Sequence, residues 1–100
     1  MRDDRQRLDK WLWFARFAKT RTLAAKLVTG GYVRINGERS DNPAKGIAVG
    51  DVVTVAAART TSVVRVEKLG ERRGPAPEAR LLYAEVGRDD GALVSGGASV

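Results

Sequence analysis

Arg7-Leu8-Asp9-Lys10-Trp11-Leu12-Trp13, followed by Lys19-Thr20-Arg21, Gly30-Gly31-Tyr32-Val33 and Asn36-Gly37, is the ordered series on which the fold turns. Leu8, Trp11, Leu12, Ala15 and Ala18 recur at helical spacing, which predicts a first helix over residues 8–18 with one apolar face. Thr20 has the side chain of an N-cap, and Leu23, Ala24, Leu27 and Val28 supply the apolar face of a second helix over residues 21–29. Gly30 is read as a left-handed C-cap and Gly31 as the residue that lets the chain turn sharply. Two short helices joined by Lys19-Thr20 are expected to pack as a helical hairpin.

Downstream the periodicity changes from helical to alternating. Tyr32-Val33-Arg34-Ile35 points Val33 and Ile35 one way and Arg34 the other. Asn36-Gly37 is a tight-turn signal, after which Glu38-Arg39 begins a return strand. Pro43 interrupts any ladder near it, and Gly50-Asp51 marks another turn. Val52–Ala56 and Ser62–Leu69 read as strands joined by the small-residue loop 57–61. Gly70–Pro77 reads as a loop, and Pro77 suits the first turn of a short helix over about residues 77–86, with Leu82 and Val86 on its inner side. From Gly87 onward Gly, Ala, Ser and Asp dominate, the composition of a disordered tail. The expected class is α+β: a two-helix hairpin packed on a small, twisted, mostly antiparallel sheet, plus a short C-terminal helix. One domain is expected over residues 7–70, a loop and short helix packing on it over 71–86, and the tail over 87–100.

One hundred residues, 43% of them hydrophobic, suffice for one core and not for two. The absence of cysteine excludes a disulfide framework and a thiol nucleophile, and the absence of histidine removes the commonest general base and metal ligand. No targeting signal is visible, and the apolar run Trp11–Ala15 is too short to span a membrane, so a cytoplasmic protein is expected. The net charge is +6. Residues 1–50 hold eleven Lys and Arg against five Asp and Glu, whereas residues 51–100 hold seven of each, so the whole surplus lies in the first half. A basic excess confined to one region is the footprint of a polyanion binder, against the plainer reading of a soluble basic protein.

Arg7, Lys10, Arg16, Lys19, Arg21 and Lys26 fall within twenty residues, opposed there by Asp9 alone. The start of the second helix adds backbone N–H groups and a positive dipole end, so Lys19-Thr20-Arg21 has the charge and geometry to hold a phosphate. Arg34, Arg39 and Lys45 would extend this surface from the strand region; for any one of them a solvated charge is as good a reading. Trp11 belongs to the core. Trp13 and Phe17 lie on a neighbouring stripe, where burial and stacking on a base are both available and burial is favoured. Asp9, Asp51 and Glu67 are best read as salt-bridge or turn residues. No acid–base constellation, no phosphate-binding glycine loop and no metal-ligand cluster is legible, so no catalysis, cofactor or metal is expected.

Taken in order, these motifs resemble the ribosomal-protein S-four type RNA-binding domain over about residues 7–56. Arg-Leu-Asp-Lys-Trp-Leu-Trp at the start and Pro75-Ala76-Pro77-Glu78-Ala79-Arg80-Leu81-Leu82-Tyr83 later make the chain most similar to the bacterial heat-shock protein 15 family. The resemblance implies an αL motif, two helices and a short β-segment that bind structured RNA through the helices. It implies binding to ribosomal RNA in the free large ribosomal subunit carrying a stalled nascent chain on tRNA, and a part in recycling that subunit. It places the RNA face on Arg7, Lys10, Arg16, Lys19, Thr20, Arg21 and Lys26, and less directly on Arg39 and Lys45. Members of the family continue into a long, basic, helical extension, whereas this sequence closes in a glycine-rich tail containing Asp89-Asp90. A monomer is expected, without membrane contact. Two alternatives stand beside this one. An RNA-modifying enzyme accessory is disfavoured by the missing catalytic groups. A DNA-binding module, or non-specific DNA binding, is suggested by the paired helices, although the second offers base edges little beyond Arg21, Thr22 and Lys26.

Overall fold

The computed structural model describes residues 5–57 and 60–89. The order of elements is β1 (Gln6–Arg7), α1 (Leu8–Phe14), α2 (Arg21–Thr29), β2 (Val33–Ile35), β3 (Glu38–Arg39), β4 (Gly46–Ile47), β5 (Val52–Ala57), β6 (Thr60–Val66), α3 (Ala76–Ala79), a 3₁₀ turn (Arg80–Leu82) and β7 (Tyr83–Asp89). Five strands form an antiparallel sheet in the order β3-β2-β5-β6-β7, and β1 pairs with β4 in a separate two-stranded ribbon. The mixed helix-and-sheet architecture expected of the sequence is present.

The α1–α2 hairpin lies on one face of the sheet. Leu8, Trp11, Leu12, Ala24 and Val28 from the helices are fully buried with Val33, Val53 and Val66 from the strands. In register, Val33 faces Val55, Ile35 faces Val53, and Val53 in turn faces Val64, so one row of β-branched side chains crosses three strands and supplies the floor of the core. The fully buried Trp11 donates its indole N–H to the Lys68 carbonyl at 3.0 Å, which satisfies the polar end of the largest core residue.

Both helices end in the same way. At the end of α1, the Arg16 amide donates to the Trp13 carbonyl and the Phe17 amide to the Leu12 carbonyl, with Arg16 at φ 67°. At the end of α2, the Gly31 amide donates to Val28 and the Tyr32 amide to Leu27, with Gly31 at φ 86°. These are paired six-to-one and five-to-two Schellman closures, each with a left-handed residue one place beyond the cap. Two expectations are corrected here. The first helix stops at Phe14 rather than at residue 18. The left-handed residue after α2 is Gly31, since Gly30 has φ −78° and is right-handed.

Asn36-Gly37 makes the expected tight turn, with φ 52° and 86°, both positive as a type I′ hairpin turn requires. The Asn36 side chain fixes it to β5 by accepting the Val52 amide at 2.9 Å. Asp51 has the turn role read for it: its carboxylate accepts the Ala48 amide at 2.9 Å. The expected strand 62–69 is displaced to Thr60–Val66. The helix expected over residues 77–86 is reduced to one turn, α3, and the 3₁₀ turn after it. Tyr83–Asp89 is a strand paired with β6, with an irregularity opposite Val63/Val64. Leu82 docks inward as expected, but Val86 is exposed. The tail expected from residue 87 therefore begins inside a strand, and its remainder, 90–100, lies outside the described residues.

Candidate nucleic-acid interface

The α1–α2 hairpin is organised around one buried acid. Asp9, 4% exposed, receives the Arg7 guanidinium through two hydrogen bonds of 3.1 Å, and Arg21 approaches its Oδ1, the oxygen that also accepts Arg7 Nε, at 3.7 Å. Both arginines remain about half exposed. One carboxylate thus holds two half-exposed cations from different elements beside it. The start of α1 is closed by protein, because the Leu8 and Asp9 amides donate to the Lys45 and Pro43 carbonyls at 2.9 and 3.0 Å.

The start of α2 differs. Thr20 caps it as expected, its hydroxyl oxygen accepting the Leu23 amide at 3.0 Å. Arg21 and Thr22, which supply the first two amides of the helix, are exposed, and the positive end of the helix dipole lies there. Lys19 is exposed immediately before the cap. Lys19, Thr20 and Arg21 are therefore brought together at a helix N-terminus as their sequence suggested, with Arg7 added through Asp9.

The other basic residues have separate placements. Lys10 lies 5.6 Å from the centroid of the Phe14 ring. Arg16 donates from Nε to the Gly74 carbonyl at 2.8 Å, so part of its guanidinium ties the hairpin corner to the 70–75 loop. Arg34 and Arg39 are directly opposed on β2 and β3. A Cβ on Gly31 would fall 2.5 Å from the Arg39 guanidinium, which shows how closely that group lies against the loop after α2. Lys26 is exposed on α2, and Lys45 lies in the segment that closes α1.

Arg73 was not singled out by the sequence, yet it donates to the carbonyls of Trp13 and Ala18 at 3.2 and 3.4 Å and lies 5.9 Å from the Trp13 ring centroid. With Arg16 it forms a reciprocal clamp between the end of α1 and the 70–75 loop. Proximity in sequence gives no hint of this, since the partners are some sixty positions apart. Trp13 and Phe17 are half-buried and packed on the core, Trp13 stacked on Phe14 at 5.3 Å and Phe17 beside Tyr83 at 5.1 Å. The salt-bridge reading of Asp9 and Glu67 holds, Glu67 accepting Arg65 at 2.8 Å. At the far edge, the hydrogen-bonded Arg72 holds the Glu78 carboxyl below its ordinary range, and Glu78 raises Arg72. Among the described residues no cluster of three or more His, Cys, Asp or Glu is placed to hold a metal ion, and no helix is long and apolar enough to cross a membrane.

The family model described as the S4 domain matches residues 6–53, the span that contains Asp9, its two arginines, the capped α2 and the β2–β3 turn. A solved structure of heat shock protein 15 from Vibrio cholerae, described as trimeric, is 43% identical and superimposes with a TM-score of 0.78, covering 83% of each chain. The chain belongs to the heat shock protein 15 family. The heat shock protein 15 homolog of Aeromonas salmonicida is 48% identical over 79 residues, which are 79% of this chain and 59% of that one. The chain thus spans about three-fifths of the length of such family members. Small ribosomal subunit protein uS4 of Xanthobacter autotrophicus is 39% identical over 72 residues, 70% of this chain and 35% of its own length, so the S4-type RNA-binding domain extends the likeness to a ribosomal protein.

Proposed function

We propose that this chain is a non-catalytic protein that grips structured ribosomal RNA through the α1–α2 hairpin. Its target in this reading is the free large ribosomal subunit carrying a stalled nascent chain on tRNA, and binding aids recycling of that subunit in the cytoplasm. The observation that carries the reading is the meeting of Arg7 and Arg21 on buried Asp9 at the Thr20-capped start of α2, with Lys19 exposed just before the cap, inside the S4 span. A rigid cluster of cations at a helix N-terminus suits phosphates held at fixed spacing, as a folded RNA presents them. Lys10, Lys26, Arg34, Arg39 and Lys45 extend the contact, and Arg16 contributes the part of its guanidinium not engaged with Gly74. The family assignment supports the ribosome as partner. A sequence without histidine or cysteine supports a binding role over a catalytic one.

The test is co-sedimentation with large subunits prepared with and without peptidyl-tRNA, with small subunits and with whole ribosomes, with duplex DNA as competitor. The expected result is preference for large subunits bearing peptidyl-tRNA, and at least a tenfold loss for Lys19→Ala/Arg21→Ala. Arg16 is left in place because it holds Gly74, and since Arg21 also approaches Asp9, thermal melting of the double variant accompanies the assay to separate stability from binding. Equal binding to all particles would reduce the function to generic RNA binding, and preference for small subunits would align the chain with uS4 instead. A monomer is the proposed state; since the Vibrio cholerae relative is described as trimeric, sedimentation velocity of the free protein decides it.

A further inference from the structure

The apolar face of α2 is wider than the surface that α1 and the sheet cover. Ala24 and Val28 are fully buried, but Leu23 is 45% exposed and Leu27 half-buried. Beside them the Schellman closure of α2 brings Tyr32, 54% exposed, next to Leu27, whose carbonyl accepts the Tyr32 amide at 3.0 Å. Phe17, Leu23, Leu27 and Tyr32 thus wall a shallow open groove, and Lys19 and Lys26 also line it.

We propose that this groove holds one unstacked base of the bound RNA, with Tyr32 as the stacking face and Lys19 and Lys26 on the flanking phosphates. The proposal rests on the reading that the hairpin binds RNA, and it adds a single-stranded or looped element to the substrate. Two observations name the occupant. The groove is lined by two lysines and no carboxylate, in a chain of net charge +6, so it attracts an anionic polymer and disfavours a second copy of the same chain. The tyrosine ring also rests on the end of α2: a Cβ on Gly30 would lie 2.7 Å from its Cε2. An aromatic face fixed beside phosphate-binding cations is how single-stranded nucleic acid is held without reading its sequence. Arg39, lying against Gly31 at the next position, extends the charge along the same edge.

The experiment compares a stem-loop RNA, with 2-aminopurine in its loop, against a blunt duplex of the same stem, using wild type, Tyr32→Leu and Tyr32→Phe. Tyr32 is exposed, so neither change removes core packing. Tyr32→Leu is expected to lose about five- to 150-fold in affinity for the stem-loop, the range for one stacked base, with duplex affinity unchanged. Tyr32→Phe retains binding, and wild type but not Tyr32→Leu quenches the 2-aminopurine. Identical stem-loop affinity for wild type and Tyr32→Leu would overturn the base site while leaving RNA binding intact, as would an equal loss on both RNAs. A wild-type oligomer that Tyr32→Leu dissociates would reassign the groove to self-association. Failure of the wild type to bind either RNA would instead remove the reading on which the proposal rests.

Discussion

Asp9 sits where a buried carboxylate has a cost unless it is paired, and its pairing with Arg7 and Arg21 is what fixes two cations at a spacing that flexible surface arginines would not keep. Asp9→Asn keeps the volume and removes the charge. Because both arginines are half exposed and screened by water, the expected loss is about 1–2 kcal/mol, read as a lower urea midpoint with an unchanged slope. The opposite case is Arg34 against Arg39, like charges directly across a strand pair, an arrangement that costs stability. Arg39→Gln is expected to leave the protein as stable or up to about 0.5 kcal/mol more stable, while weakening RNA binding. Thermal melting and an RNA titration on the same sample check both halves; a large fall in melting temperature would show that Arg39 is structural. At this scale the sequence was most legible where chemistry is local. Thr20 as a cap, Asn36-Gly37 as a turn and Asp51 as a turn acid each act within a few residues or across one hairpin.

The elements were legible in kind and less so in extent, for physical reasons that differ. Helix α1 ends early because Arg16 enters the left-handed region, yet Phe17 folds back to place its ring 6.1 Å from Trp11. Core periodicity therefore continues past the end of the helix, and the apolar pattern conceals the turn. Residues 83–89 have a composition that tolerates helix, but β6 has an open edge, and pairing with it prevails over local preference. The clamp of Arg73 on the Trp13 and Ala18 carbonyls, with Arg16 on Gly74, could not be read at all, since each contact joins distant segments. Arg73→Ala should destabilise by about 1–2 kcal/mol through the lost carbonyl contacts and the packing on Trp13, without changing affinity for a short RNA bound at the start of α2. Hydrogen exchange should report the loss as faster opening of the 70–75 loop and the end of α1; uniform exchange across the protein would contradict a local clamp.

At the scale of the whole molecule most of the Lys and Arg of residues 1–50 fall on β1, the α1–α2 hairpin and the β2–β3 pair. With no histidine, RNA affinity should stay flat between about pH 6 and 8, and a titration there would contradict binding by Lys and Arg alone. The depressed Glu78 carboxyl makes the Arg72 pair favourable at neutral pH, and that contribution is lost as the pH falls through the lowered Glu78 value, well below the binding range. The central claim, that cations gathered at the start of α2 bind RNA phosphates, is tested most directly by the salt dependence of affinity for one folded ribosomal RNA fragment. The plot of log K against log salt should be linear and steep for the wild type, and shallower by about 1.5–2 for Lys19→Ala/Arg21→Ala, the loss of two phosphate contacts. Parallel lines for the two proteins would contradict the account and move the phosphate contacts away from this helix.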